Sequence, residues 1–320
     1  MGRARAGVVV FTRNAEKGMG GLGRLVAAGE YSVRMVVDSG SADETKAIAE
    51  RDGWHVEVVG GFDHGGTRNW ALERVAPLLG EGGIIVFLTQ DIEGPPESRP
   101  IERLVSALAR DAELGAAYGR QLPRPGAEPF EAHARLFNYP KQSEVRCLED
   151  RRRLGIKVCF FSDSFAAYRV KALREVGGFP ERAIVGEDVI VAAKLLKAGW
   201  KIAYVADACV YHSHDLTPTQ EMRRYFDIGV FHARESWILR EFGRPEGEGL
   251  RFFLSEIRYL WEHAPWLIPE SFLRAALKYL GYRLGRGERY LPVAFKRWMS
   301  LQKHFWEREA EEVRGLKQTG

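Results

Sequence analysis

Asp38 and Asp91 stand where an open α/β sheet would present a ligand. Each closes an apolar, β-rich run, 33–37 and 83–88, and ligands of such sheets gather beyond the carboxyl ends of the strands. His212 and His214 lie two residues apart at the end of a third run, 201–211, with Asp215 next to them. If the strand continues they point to one side, as paired metal ligands or phosphate contacts require. Glu187 and Asp188 follow Gly186 at the start of a helical pattern, where the helix dipole holds a carboxylate ionised. An ionised carboxylate can take a proton as a general base. Helix capping is the alternative use of the same pair.

The elements that must hold these groups alternate along the first half of the chain. Strands are expected at 7–11, 33–37, 55–59 and 83–88, and helices at 22–28, 42–51 and 67–79. That is the pattern of a βαβ sheet covered on both faces. A Pro- and Gly-rich stretch, 94–129, brackets a helix at 101–110 and a strand near 115–118 and reads as a changeover between two halves. Further strands are expected at 159–168 and 201–211, with a helix at 188–198 between them. Beyond Asp215 strand signals stop and the chain reads as helical.

With 320 residues, 45% of them apolar, and a net charge of +4, the chain is long enough for a real core and is neither disordered nor fibrous. Three cysteines, Cys147, Cys159 and Cys209, are odd in number and far apart, which excludes a disulfide framework or a cysteine zinc site and points to a reducing cytoplasm. No apolar run reaches the roughly 18 to 20 residues of a membrane span, and the first residues are too weakly apolar for a signal peptide. Gly18, Gly20 and Gly23, followed by Asp38, match a dinucleotide-binding spacing. However, Thr12 to Lys17 separate them from the strand, so a flexible glycine loop is the better reading and a dinucleotide-dependent oxidoreductase the weaker one.

The segment VVDSGSADET, residues 36–45, closely resembles the nucleotide-binding signature of family 2 glycosyltransferases, enzymes of GT-A fold. The other landmarks match in order: FDHGGTRNWAL (62–72), FLTQD (87–91), VGGFPER (176–182), GEDVIVAAKLLKAGWKIAYV (186–205) and YHSHDLTPTQEMRRYFDIGVFH (211–232). Together they look most like the rhamnosyltransferase branch. The resemblance covers roughly residues 6–240. It implies an α/β GT-A catalytic domain over 1–215, with a donor half at about 1–93 and an acceptor half at 94–215, and a helical region over 216–320.

The same resemblance implies the site. Asp38 would accept the imide N–H of a nucleotide base, with Thr12, Arg13 and Ser39 on the same rim. His64, Gly65, Gly66 and Arg68 would offer backbone donors and a guanidinium to a diphosphate ahead of a helix, with Arg223 nearby. Asp91 corresponds to the last acid of an Asp-X-Asp metal motif whose first position here is Thr89; with His214 and His212 it would hold Mg²⁺ or Mn²⁺. Asp188 would be the base that deprotonates the acceptor, and Glu187 its orienting neighbour. Gln220, Arg223, Arg224 and Tyr225 resemble the QxxRW motif of processive relatives, but Arg224 replaces the Trp, so no processive polymerase is expected.

The implied activity is inverting transfer of a sugar, rhamnose from dTDP-L-rhamnose, to a glycan or lipid-linked glycan on the cytoplasmic face of the membrane. A non-catalytic sugar-nucleotide or glycan-binding subunit is the rival reading, supported by Thr89. Residues 274–303 carry eight basic side chains against Glu288 alone, beside a stripe of Leu273, Leu277, Leu280 and Leu284. A basic amphipathic helix of this kind suits an anionic membrane surface, although a dimer contact or core packing would use the same stripe. No nucleic-acid-binding motif is present.

Overall fold

The computed structural model describes residues 5–60, 63–95, 98–243 and 247–318. Phe62 of the FDHGGTRNWAL segment, and Pro96 and Glu97 of the Pro- and Gly-rich stretch, lie outside the described residues. The strands are β1 (Ala6–Thr12), β2 (Val33–Asp38), β3 (His55–Val58), β4 (Ile84–Thr89), β5 (Leu114–Leu122), β6 (Glu144–Arg146), β7 (Phe165–Arg169) and β8 (Lys201–Tyr211). They form one sheet in the order β3-β2-β1-β4-β7-β5-β8-β6. The first four strands pair in parallel, β7 runs antiparallel between β4 and β5, and β5 and β8 are parallel.

Helices α1 (Glu16–Ala27), α2 (Thr45–Arg51), α3 (His64–Leu79) and α4 (Pro100–Arg110) connect the first strands. They are followed by α5 (Pro129–Asn138), the single turn α6 (Arg151–Leu154), α7 (Val170–Glu175) and α8 (Glu187–Lys197). The remainder is α9 (Pro218–Arg234), α10 (Ser236–Phe242), α11 (Glu248–His263), α12 (Ile268–Arg286), α13 (Val293–Met299) and α14 (Lys303–Gln318).

Because side chains alternate along a strand, β1 divides its apolar run between two cores. Val8 and Val10 face α1 and α4 through Met19, Leu22 and Leu104, while Val9 and Phe11 face the other layer with Leu72, Val75, Ile190 and Phe226. The helical region is continuous with that second layer: Phe226, Val230 and the fully buried Trp306 belong to it.

Several sequence expectations change here. The helix expected at 22–28 begins at Glu16, so Gly18, Gly20 and Gly23 are helical and form neither a dinucleotide turn nor a flexible loop. A Cβ on Gly18 would lie 2.8 Å from the Gln90 carbonyl oxygen, so this glycine lets α1 approach the turn after β4. The strand expected over 159–168 is confined to Phe165–Arg169, and Cys159 ends a 3₁₀ turn.

In α12 the leucine stripe divides, with Leu273 and Leu280 exposed and Leu277 and Leu284 half-buried, while two of the basic residues lie inside. The helix buries Ser271, Arg274, Lys278, Gly281 and Gly285 and exposes Phe272, Leu273, Tyr279 and Leu280. Gly281 and Gly285 are required by a close crossing, since a Cβ would lie 2.2 Å from the Met222 carbonyl oxygen or 2.0 Å from that of Phe226 on α9. Arg274 pairs with Glu221 and Glu270, Lys278 with Glu221 and Glu256, and Lys296 with Glu288. Three of the eight basic residues are therefore neutralised inside the fold.

Candidate active site

A cleft of about 650 Å³ opens at the carboxyl ends of β1, β2 and β4, lined by Thr12, Arg13, Ser39, His64, Asp91, Asp188, His212 and His214. Local bonds fix its rim. The Arg13 N–H donates to Gln90 Oε1 at 2.6 Å and Gln90 Nε2 donates back to the Arg13 carbonyl at 3.2 Å, which ties the end of β1 to the turn after β4.

Asp38 lies beneath the rim, fully buried. Its carboxylate accepts from Thr12 Oγ1 (2.9 Å), the Gly40 and Ser41 N–H groups (3.0 and 2.7 Å) and Ser41 Oγ (2.5 Å). Burial opposes its ionisation, but these donors win and hold its carboxyl below the usual range. With its acceptor sites filled, Asp38 organises the β2–α2 turn, and the expected role of base reader does not fit it. Ser39 fits that place better: its hydroxyl is buried, lines the cleft and has no hydrogen-bond partner among the described residues.

Asp91 follows β4, and a two-way backbone bridge between Glu93 and Tyr211 (2.7 and 3.1 Å) staples its turn to the end of β8. That bridge brings Asp91 Oδ2 within 3.2 Å of His212 Nε2 and 2.9 Å of His214 Nε2, and the two nitrogens lie 3.2 Å apart. His212 Nδ1 faces Gln121 Oε1 at 3.0 Å, an acceptor that favours the proton on Nδ1 when Nε2 takes up a cation. Gln121 is fixed in turn by Ser162 and Arg135.

Three potential ligand atoms thus converge, and Asp91 Oδ1 is buried without a partner among the described residues. A six-coordinate ion with ligands at about 2.1 Å holds neighbouring ligand atoms about 3.0 Å apart, so the three atoms match one face of an octahedron. The residues fit a divalent cation with an open face toward the cleft.

Asp188 begins α8. Gly186, with φ of 80°, turns the chain into that helix in the left-handed region that favours glycine. Asp188 Oδ1 accepts from the Val189 N–H at 2.8 Å and Oδ2 from the Asp163 N–H at 3.3 Å. Behind it lies a group that the sequence reading missed. Arg68 Nε is 3.2 Å from Asp163 Oδ2, Arg68 Nη1 is 3.2 Å from Glu187 Oε1, and Tyr168 O–H donates to Asp163.

One guanidinium therefore pairs with two carboxylates, and Asp188 lies beside them. Burial, then the charges of Glu187 and Asp163, push the Asp188 carboxyl well above the ordinary range, and burial pushes Asp163 up to about 6. The expected dipole-held, fully ionised Asp188 is corrected accordingly, because desolvation and like charge outweigh the helix end.

The phosphate-binding expectations also shift. Arg68 is 3% exposed, enclosed by Phe11, Phe179 and the acids, and turned away from the cleft. Removing it would strand two buried carboxylates, a loss on the order of 3–5 kcal/mol. The Gly66 N–H caps on Asp63 at 2.6 Å, and Gly65 is a packing glycine whose Cβ would collide with the Pro180 carbonyl at 1.8 Å. Only His64 of that segment lines the cleft. Glu187 turns toward Arg68 and His64 instead of the opening. Arg223 lies over Trp298, while its neighbour Arg224, about 100° further round α9, reaches the cleft. The C-terminal region closes the wall: the Leu301 N–H and Ser300 Oγ bond to Asp227, and Leu301 and Gln302 line the opening.

The mixed sheet with its helices is the fold of GT-A glycosyltransferases. The chain belongs to glycosyl transferase family group 2, whose profile matches residues 99–274. It is 45% identical over 276 residues to the O-antigen chain rhamnosyltransferase RfbN of Salmonella typhimurium, covering 85% of this chain and 86% of that one. It is 44% identical over 274 residues to the O-antigen chain rhamnosyltransferase WbaN of Salmonella anatum, covering 85% of each. In fold it is similar to the mannosyltransferase PcManGT of Pyrobaculum calidifontis, solved with GDP-Man and Mn²⁺. The TM-score is 0.55 at 19% identity, over 98% of this chain and 87% of that one. TarS of S. aureus gives a TM-score of 0.52 at 18% identity, over 89% and 55% of the two chains.

Proposed function

We propose that the protein is an inverting rhamnosyltransferase that moves rhamnose from dTDP-L-rhamnose to a glycan or lipid-linked glycan during polysaccharide assembly. The observation that carries this reading is the 45% identity to an O-antigen chain rhamnosyltransferase across 85% of the chain. Asp188 takes the proton of the acceptor hydroxyl, whose oxygen attacks the anomeric carbon as the bond to the nucleoside diphosphate breaks on the opposite side. Ser39, Thr12 and Arg13 hold the nucleotide end, and His64 and Arg224 stand beside the diphosphate. Asp91, His212 and His214 would hold Mg²⁺ or Mn²⁺, which when bound offsets negative charge on the diphosphate.

The test is transfer and thermal stabilisation with dTDP-L-rhamnose, GDP-mannose and UDP-GlcNAc in Mn²⁺. A shift and turnover with dTDP-L-rhamnose alone are expected. Turnover with another donor would replace the sugar, and stabilisation without turnover for every acceptor tried would favour a binding subunit.

We also propose peripheral attachment to the cytoplasmic membrane face. No described helix is long and apolar enough to span a membrane. The outward side of α11 and α12 carries Leu250, Leu254, Trp261, Leu273, Tyr279 and Leu280, with Trp266 between the helices 74% exposed. Arg258 and the exposed Arg283 and Arg289 lie on the same two helices and just beyond. Apolar groups that insert, with cations beside them, suit an anionic bilayer. Replacing Trp261 and Trp266 by Ser is expected to release the protein from anionic vesicles in a flotation assay without lowering its melting temperature. Unchanged recovery, or equal recovery on neutral lipid, would refute the attachment.

A further inference from the structure

A second cavity of about 570 Å³ lies between α5, α9 and α12. It shares Arg135, Tyr139, Phe160, Leu216 and Arg224 with the cleft, so the two are continuous. Its charge pattern selects its ligand. Of four cations on its wall, three are already paired: Arg135 with Glu131 at 2.7 Å, Arg274 with Glu221 at 3.0 Å and Glu270 at 2.7 Å, and Lys278 with Glu221 at 3.5 Å. Five carboxylates, those of Glu128, Glu131, Asp215, Glu221 and Glu270, stand on the same wall. Five carboxylates against four cations leave the wall one charge negative, which disfavours an anionic diphosphate here.

Rings and fixed polar groups point elsewhere. Phe160, Tyr225 and Phe252 line the space. The carboxylates keep lone pairs for hydroxyl donors, and Asn138 at the edge can both donate and accept. Apolar faces with a few fixed acceptors are what the two sides of a pyranose need.

We propose that this cavity binds the neutral terminal sugars of the acceptor glycan and delivers the reacting hydroxyl across the shared wall to Asp188. The inference rests on the transferase reading and assigns its acceptor subsite. The lipid diphosphate of a lipid-linked acceptor is thereby placed outside the cavity.

Asn138 is exposed, and its side chain bonds only to its own helix, at the Ala134 carbonyl, so a larger residue there fills the cavity with little cost to the core. The probes are a panel of p-nitrophenyl hexopyranosides as acceptors and inorganic pyrophosphate as an anionic competitor. Asn138→Trp, and Ala134→Phe one turn earlier, should each raise the acceptor KM about tenfold or more while donor affinity holds. Leu136→Trp, which does not line the cavity, should change neither. Pyrophosphate should compete with the donor and not with the glycoside.

Wild-type acceptor KM in both filling variants would overturn the proposal. So would pyrophosphate competing with the glycoside, or a wild-type enzyme that hydrolyses its donor yet uses no glycoside of the panel. Failure of the wild type to bind or hydrolyse any nucleotide sugar would instead remove the transferase reading beneath it.

Discussion

Asp188→Asn is expected to lower sugar transfer by about 10²- to 10⁴-fold while nucleotide-sugar binding is retained, the usual scale for loss of a general base. The amide keeps the shape of the carboxyl and can still accept from the Val189 N–H, so the first turn of α8 keeps that bond. What it cannot do is take a proton. Single-turnover kinetics beside a donor-binding isotherm separate these effects. Near wild-type turnover would exclude Asp188 as the base, and a joint fall in donor affinity and melting temperature would assign it to capping.

The acids behind Asp188 give the same prediction a pH signature. Ionised Asp163 and Glu187 oppose ionisation of Asp188, so the fraction of active base rises with pH and the acidic limb of kcat sits above the usual carboxylate range. Asp163→Asn removes one negative neighbour and frees part of the Arg68 charge, and both changes favour ionised Asp188. The limb should therefore move to lower pH, by about one unit or more, with Tyr168 still able to donate to the amide oxygen. An unmoved limb would show that Asp163 only supports the fold.

Part of the candidate site was legible in the sequence because its signal is local. A strand end followed by an acid, a His-X-His beyond a strand and Gly-Glu-Asp at a helix start singled out Asp91, His212, His214 and Asp188, and all four line the cleft. Side-chain direction was not legible. Asp38 and Ser39 are neighbours on a strand end, and only the four donors around Asp38 reveal which of the two faces a ligand. Arg68 looked like a phosphate ligand because an arginine in the first helical turn usually is exposed. Its burial depends on Asp163 and Glu187, distant in sequence, converging on it.

The same limit governs α12. Its leucine spacing left a membrane surface, a dimer contact and core packing open, and the close crossing with α9 is made by Gly281 and Gly285, which carry no hydropathy signal. Buried Arg274 and Lys278 are tolerated because Glu221, Glu256 and Glu270 come from neighbouring turns. Arg223 and Arg224 show the cost of a one-residue ambiguity on a helix, since the cleft receives the second and Trp298 the first.

Asp91→Ala is expected to weaken nucleotide-diphosphate binding in Mn²⁺ or Mg²⁺ by about 10- to 100-fold, the scale on which metal-site partners act, and to change binding in chelator little. Asp91 supplies the only carboxylate among the three converging ligand atoms. Burial disfavours its charge, but its bonds with His212 and His214 hold the carboxyl well below the ordinary range. Its loss leaves two imidazoles, one fixed by Gln121 and one 47% exposed, without the negative charge that draws a hard cation. His214→Ala should give a smaller loss of the same kind, because a water can replace an exposed ligand. Gln121→Leu supplies the internal comparison: it removes the acceptor that orients His212 and should weaken Mn²⁺ binding, read by paramagnetic relaxation of water protons, without touching a ligand atom. If wild type and Asp91→Ala bind the nucleotide equally in metal and in chelator, the three residues are not a metal site. Their convergence would then have to be explained by direct contact between the histidines and the diphosphate.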